Sequence, residues 1–246
     1  MARFFVFREN LRGETATVTG QELDHIRKVL RLAPGDPVTL FDDSGWEHEG
    51  VIRSYAARSG EIAILKSFQP ERESPLRVTL AQALGKGEKM EWVVEKATEL
   101  GVAQIAPFVS SRTVPRLDRA GSEKRRARWQ KIALSATKQS GRTKVPEILE
   151  ITDFPTLVRH AWPCALKLLC WEGESQLNLT QLHRETPSVE SLLLAIGPEG
   201  GLSPDEVAEA TRNGFKSVGL GKRILRTETA ALAALSLAQF LWGDMG

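Results

Sequence analysis

The chain has 246 residues, 41% hydrophobic and 26% charged, and a net charge of +2, a profile that suits a globular protein with one large domain or two smaller ones. No apolar run reaches membrane-spanning length, and the start, Met1-Ala2-Arg3-Phe4-Phe5, has none of the parts of a secretory leader. Two cysteines, Cys164 and Cys170, and four scattered histidines carry no metal-ligand spacing, so no metal is expected and both thiols read as reduced in a cytoplasmic protein.

Residues 1–70 read as a small β-rich unit. Short apolar runs at 4–7, 15–18, 37–41, 50–52 and 61–65 are separated by turn formers such as Asp42-Asp43-Ser44-Gly45 and Arg58-Ser59-Gly60. One helix is predicted over 22–32, with Leu23, Ile26, Val29 and Leu30 on one face. A handful of strands and one helix suggest a small barrel. Residues 69–75 are polar and bracketed by Pro70 and Pro75, which marks a linker.

From Leu76 strands and helices alternate. Strands are predicted at 76–84, 103–109, 165–171, 191–196 and 216–220, and helices at 88–100, 122–139, 153–160, 204–213 and 228–241. In the first helix Met90, Val93, Val94, Ala97 and Leu100 recur at helical spacing and Gly101 stops the run. Such alternation predicts an α/β fold, a parallel sheet with helices on both faces. Charge is uneven along it. Residues 112–144, Arg116 included, hold eleven Lys or Arg against Asp118 and Glu123, whereas 145–246 hold eight basic and thirteen acidic residues. The basic run, with Lys124, Arg125, Arg126 and Arg128 at its centre, is the footprint expected for a polyanion.

Two glycine-bearing segments each follow a predicted strand and lead into a helix. They are Ile196-Gly197-Pro198-Glu199-Gly200-Gly201-Leu202 and Leu220-Gly221-Lys222-Arg223-Ile224-Leu225-Arg226-Thr227-Glu228-Thr229-Ala230. They suit either ordinary turns or a nucleotide-like ligand approached by bare backbone. Neither is a polyphosphate loop. Arg223 follows Gly221-Lys222 where a P-loop needs Ser or Thr, and Ile224 stands where a dinucleotide fingerprint needs a third glycine.

The strings IGPEGGLS and LGKRILRTETAALAAL, with RESPLRVTLAQALGKGEKMEWVVEKATELGV upstream, closely resemble the RsmE family. Its members are S-adenosylmethionine-dependent methyltransferases of the knotted SPOUT superfamily that modify N3 of a uridine in small-subunit (16S) ribosomal RNA. The resemblance covers essentially the whole chain. It implies a PUA-like RNA-binding β-barrel at 1–70 and a parallel-sheet trefoil-knot catalytic domain at 75–246. It also implies S-adenosylmethionine as cofactor, ribosomal RNA within the 30S subunit as partner, and no metal or membrane.

By the same resemblance the cofactor lies among three loops, with Leu169, Ile196, Gly197, Gly201, Leu220, Ile224, Leu225 and Ala230 as contacts. Arg226 is the candidate catalytic residue, since a cation beside O2 or O4 would stabilise a uracil that has lost its N3 proton. The alternative for Arg226 is an ion pair with Glu228 that stiffens the loop. Thr227 reads either as the cap of the last helix or as a ligand contact, and the general base is unassigned. Arg3, His25, Gln139 and Arg142 join the basic run as candidate RNA contacts, Arg142 alternatively complementing a helix C-terminus. Members commonly carry an acidic residue before Gln139, where this chain has Lys138. The apolar helix at 230–241 predicts a homodimer through the catalytic domain. A non-catalytic RNA binder, or an enzyme acting on a different RNA, stands as the rival reading.

Overall fold

The computed structural model describes residues 2–113 and 118–246; Met1 and residues 114–117, Arg116 of the basic run among them, lie outside. The chain divides into two compact units, one running up to Glu73 and including Thr137–Val145, the other Ser74–Ala136 with Pro146–Gly246.

The first unit contains β1 (Ala2–Phe5), β2 (Leu11–Arg12), β3 (Thr15–Thr19), α1 (Gly20–Asp24), β4 (Pro37–Phe41), β5 (Glu47–Tyr55) and β6 (Ser59–Phe68). They form one six-stranded sheet in the order β1-β4-β5-β6-β3-β2, antiparallel except where β1 runs parallel to β4. β5 and β6 run well beyond their apolar stretches, and polar residues continue the ladder at both strands. Arg53 of β5, for example, reaches Glu61 of β6 at 2.8 Å. Phe4, Val18, Leu40, Ile52 and Ile62 form the core with Leu23 and Ile26. The helix predicted over 22–32 is cut short. α1 passes into a wider π-turn at His25–Val29, which turns Val29 and Leu30 out to solvent instead of inward.

A bonded cluster explains why Thr137–Val145 belongs to this unit. Arg142 is buried and donates to Glu73 from Nε and Nη2, at 3.0 and 2.7 Å. The amides of Thr143 and Lys144 donate to the same carboxylate, and that of Val145 to Asp43. Lys138 pairs with Glu22 at 2.7 Å. Arg3 pairs with Glu47, donates to the carbonyls of Thr137 and Arg142, and lies over the Phe41 ring. Arg3 and Arg142, expected as RNA contacts, instead brace the unit from within, largely buried against Glu47 and Glu73.

The second unit contains β7 (Arg77–Ala83), α2 (Lys89–Glu99), β8 (Gln104–Val109), α3 (Arg119–Ser140, up to Ala136), β9 (Glu147–Ile148), β10 (Thr152–Asp153) and α4 (Phe154–Arg159). It continues with β11 (Leu166–Cys170), α5 (Leu179–Glu185), β12 (Ser191–Ile196), α6 (Pro204–Arg212), β13 (Lys216–Val218) and α7 (Thr227–Trp242). Every strand pair is parallel, in the order β10-β8-β7-β12-β11-β13 with β9 beside β8. β12 is buried from Leu192 to Ile196, the continuous apolar run that a sheet covered on both faces requires. Each fully buried Leu there contributes about 1.5–3 kcal/mol. Capping boxes open α5 (Asn178 with Gln181) and α6 (Ser203 with Glu206). α5 was not predicted, although its cap residues are plain in the sequence.

Candidate active site

A cleft of about 390 Å³ opens at the carboxyl ends of β11, β12 and β13, where an open parallel sheet offers its binding crevice. Its walls are Cys170 at the end of β11 with Trp171 and Glu172, Ile196 at the end of β12 with residues 197–199, Gly201 and Leu202, and residues 220–226 with Thr227 and Ala230 of α7. Lys89, at the start of α2, closes one side.

The loops hold one another. Gly201 has φ +67, a backbone conformation that residues with a side chain rarely adopt, and it closes the turn from Gly201 N to Pro198 O (2.9 Å) beside the Glu172 carboxylate. Thr227 is the first residue of α7, not its cap. Its hydroxyl donates to Gly197 O at 2.6 Å and accepts from the buried Gln82 Nε2 at 2.9 Å. Three segments distant in sequence are thus tied through one oxygen. Arg112 adds a bond to Gly200 O at 3.0 Å.

Charge in the cleft is similarly ordered. The Lys89 ammonium lies 3.1 Å from Glu199 Oε1 and 3.3 Å from Glu228 Oε2. No hydrogen bond is aligned onto the latter oxygen, which is buried. The bond to Glu199, then the contact with Glu228, raises the Lys89 pKa above its ordinary value. Burial alone would raise that of Glu199, but the Lys86 amide and Lys89 outweigh it and hold the carboxyl below the usual range. Glu228 thus goes to Lys89, and Arg226 forms no ion pair with it. Arg226 caps α7 with extended backbone (φ −64, ψ 151). Its side chain is exposed, lines the cleft and has no partner among the described residues. Cys170 also lines the cleft, but burial pushes its thiol up to about 12, so it stays protonated and unreactive.

An RNA methyltransferase domain model matches residues 72–239. Ribosomal RNA small subunit methyltransferase E of Bacillus subtilis is 34% identical over 98% of this chain and 96% of its own length. Its Synechocystis namesake is also 34% identical, over 95% and 76%. The chain belongs to the ribosomal RNA small subunit methyltransferase E family. A solved member of that family from Neisseria gonorrhoeae, bound to S-adenosyl methionine, superposes with a TM-score of 0.90 at 36% identity, covering 100% of each chain. A putative methyltransferase from Legionella pneumophila in complex with the same molecule gives 0.89 at 34% identity, covering 98% of each.

Against this family background, Ile196, Gly197, Gly201, Leu220, Ile224, Leu225 and Ala230 all line the cleft. Leu169 does not. It is 1% exposed and packs in the core with Phe108 and Leu193, because side chains alternate across a strand and Cys170 takes the cleft side. Ile224, expected as a cofactor contact, is 86% exposed on the cleft rim. The residue that sequence reading missed is Lys89, which lies 107 positions before Ile196 and joins the cleft only through the fold.

The basic run is less free than its composition implied. Arg128 pairs with Glu91 at 2.7 Å and sits 3.9 Å from Glu88. Arg126 donates to Ile148 O and lies 3.7 Å from Glu150. Lys124 is exposed and Arg125 partly so. In the first unit Gln139 is exposed, while His25 is half-buried with its ring edge against Phe4. Among the described residues no three His, Cys, Asp or Glu side chains are grouped as metal ligands, and no helix is long and apolar enough to cross a membrane.

Proposed function

We propose that this chain methylates N3 of a uridine in small-subunit ribosomal RNA, using S-adenosylmethionine, as a cytoplasmic homodimer acting on the 30S subunit. The observation that carries the reading is the Arg226 guanidinium, without a partner among the described residues, at the mouth of a nucleoside-sized cleft. The cleft volume of about 390 Å³ lies within the roughly 300–1,000 Å³ usual for small-molecule sites. The apolar Leu220 and Leu225, with the bare backbone of Gly197 and Gly201 beside them, suit a flat adenosine.

S-adenosylmethionine, when bound, supplies an electrophilic methyl carbon and its own leaving group. The chain's task is then to hold the reactants in line and to stabilise the nucleophile. As N3 gives up its proton, charge spreads over N3, O2 and O4. Arg226 donates to that charge, and it is free to do so because Lys89 occupies Glu228.

We further infer a knotted catalytic domain. Support comes from β11 lying between β12 and β13, and from the segment after β13 running against the loop after β11. There Gly219 N donates to Leu177 O at 2.9 Å, and a Cβ on Gly219 would lie 2.6 Å from Glu174 O. The six-stranded, mostly antiparallel sheet of the first unit suits a PUA-like RNA-binding barrel. Mass mapping of small-subunit ribosomal RNA from a strain lacking the gene tests the assignment. One N3-methyluridine should disappear and return with the wild-type gene. A fully methylated RNA in the deletion strain would refute it.

A further inference from the structure

Lys222, Arg223 and Arg226 stand on one five-residue stretch of the cleft rim, all three exposed. None has an ion pair among the described residues. They differ in this from the other cleft cation, Lys89, and from Arg126 and Arg128. They also interrupt an acidic background, since residues 145–246 carry thirteen acids against eight bases. Gly221, at φ +104, has nothing within 4 Å of its Cβ position, and Lys222 and Arg223 beyond it are open to solvent at the cleft rim.

Three exposed cations with no ion pair among the described residues give the cleft mouth a positive rim that suits an anionic visitor. The cofactor does not qualify: its sulfonium and ammonium outweigh its single carboxylate, leaving net charge +1. Cations held there for it would repel more than they attract. RNA qualifies, with one negative charge per nucleotide and phosphates on both sides of any base delivered to Arg226. We propose that Lys222 and Arg223 form a phosphate-docking site that grips the RNA backbone beside the target nucleotide. This rests on the reading of the chain as an RNA methyltransferase. On it, Arg226 serves the base and its two neighbours serve the backbone. The pair sets register and adds salt-sensitive affinity without reading sequence.

The test uses the full chain with Lys222→Gln and Arg223→Gln combined, and a second variant with both changed to Glu. Small-subunit ribosomal RNA is titrated at several salt concentrations, and S-adenosylmethionine binding is measured by calorimetry. The Gln variant should bind RNA on the order of tenfold more weakly, with the slope of log affinity against log salt flatter by about 1.4–1.8 for two lost contacts. The Glu variant should bind more weakly still, while cofactor affinity and melting temperature hold. Unchanged RNA affinity and slope would overturn the proposal. So would a loss confined to cofactor binding, which would assign the cations to the cofactor carboxylate. A wild-type protein that fails to methylate 30S subunits lacking the modification refutes the functional reading itself; a competent wild type with indifferent variants refutes only the docking site.

Discussion

At the scale of single residues, the cleft turns on which carboxylate each cation takes. Arg226 and Glu228 are two positions apart and were candidates for each other, but Lys89 arrives from α2 and claims Glu228. Arg226→Ala should therefore leave cofactor affinity nearly intact and slow methyl transfer by on the order of a hundredfold or more. The defect should shrink as pH rises, because uridine that ionises in solution no longer needs the guanidinium. Single-turnover rates across pH read this directly, and a wild-type rate in the variant would remove the assignment. Lys89→Met makes a complementary case. It releases Glu199 and Glu228, and Glu228 can then turn to Arg226. Transfer should slow in Lys89→Met and recover in part when Glu228→Gln is added. Failure of the double variant to recover would limit Lys89 to bracing the loops. The role of Thr227 was only half legible: a hydroxyl at a helix start suggested a cap, yet its partners are Gly197 and Gln82, chosen by the sheet order.

At the scale of elements, periodicity placed the long helices and the parallel strands to within a few residues, since each carries its own pattern. It failed where an element changes character midway. The helix after β3 widens at His25–Val29, and α3 runs on to Ser140 although its last turn belongs with the first unit. Glu73 secures that last stretch. Burial alone would raise its pKa, but the Arg142 bond and the Thr143 and Lys144 amides bring it below its ordinary value of 4.5. A carboxyl whose folded pKa lies below its unfolded one adds stability that is complete above about pH 4.5 and lost as pH falls through the folded value. Melting temperature should accordingly drop on the acid side of pH 4.5, and Glu73→Gln should flatten that part of the profile. An identical acid limb in the variant would show that other carboxylates carry it.

At the scale of the whole molecule, the proposed homodimer rests on the outer side of α7. Its inner residues Leu235 and Ala238 are buried, but Leu237 is 44% and Phe240 58% exposed, as is Trp92 of neighbouring α2 at 44%. Large apolar side chains gathered on two packed helices suit an isologous contact. Sedimentation at micromolar concentration should give a dimer, and Phe240→Glu should shift it toward monomer with little change in melting temperature. A wild-type monomer would remove the claim.

The amino-acid sequence by itself determined the alternating α/β pattern, the two glycine-bearing loops and the family, because each resides in a contiguous string. Only the tertiary structure decided how the charges are spent. Arg3 and Arg142 became braces, Arg126 and Arg128 met carboxylates from other elements, and Lys89 joined a cleft more than a hundred residues away. Composition counts charges along a line, whereas pairing depends on distances across the fold, and a salt bridge forms or fails within about 4 Å.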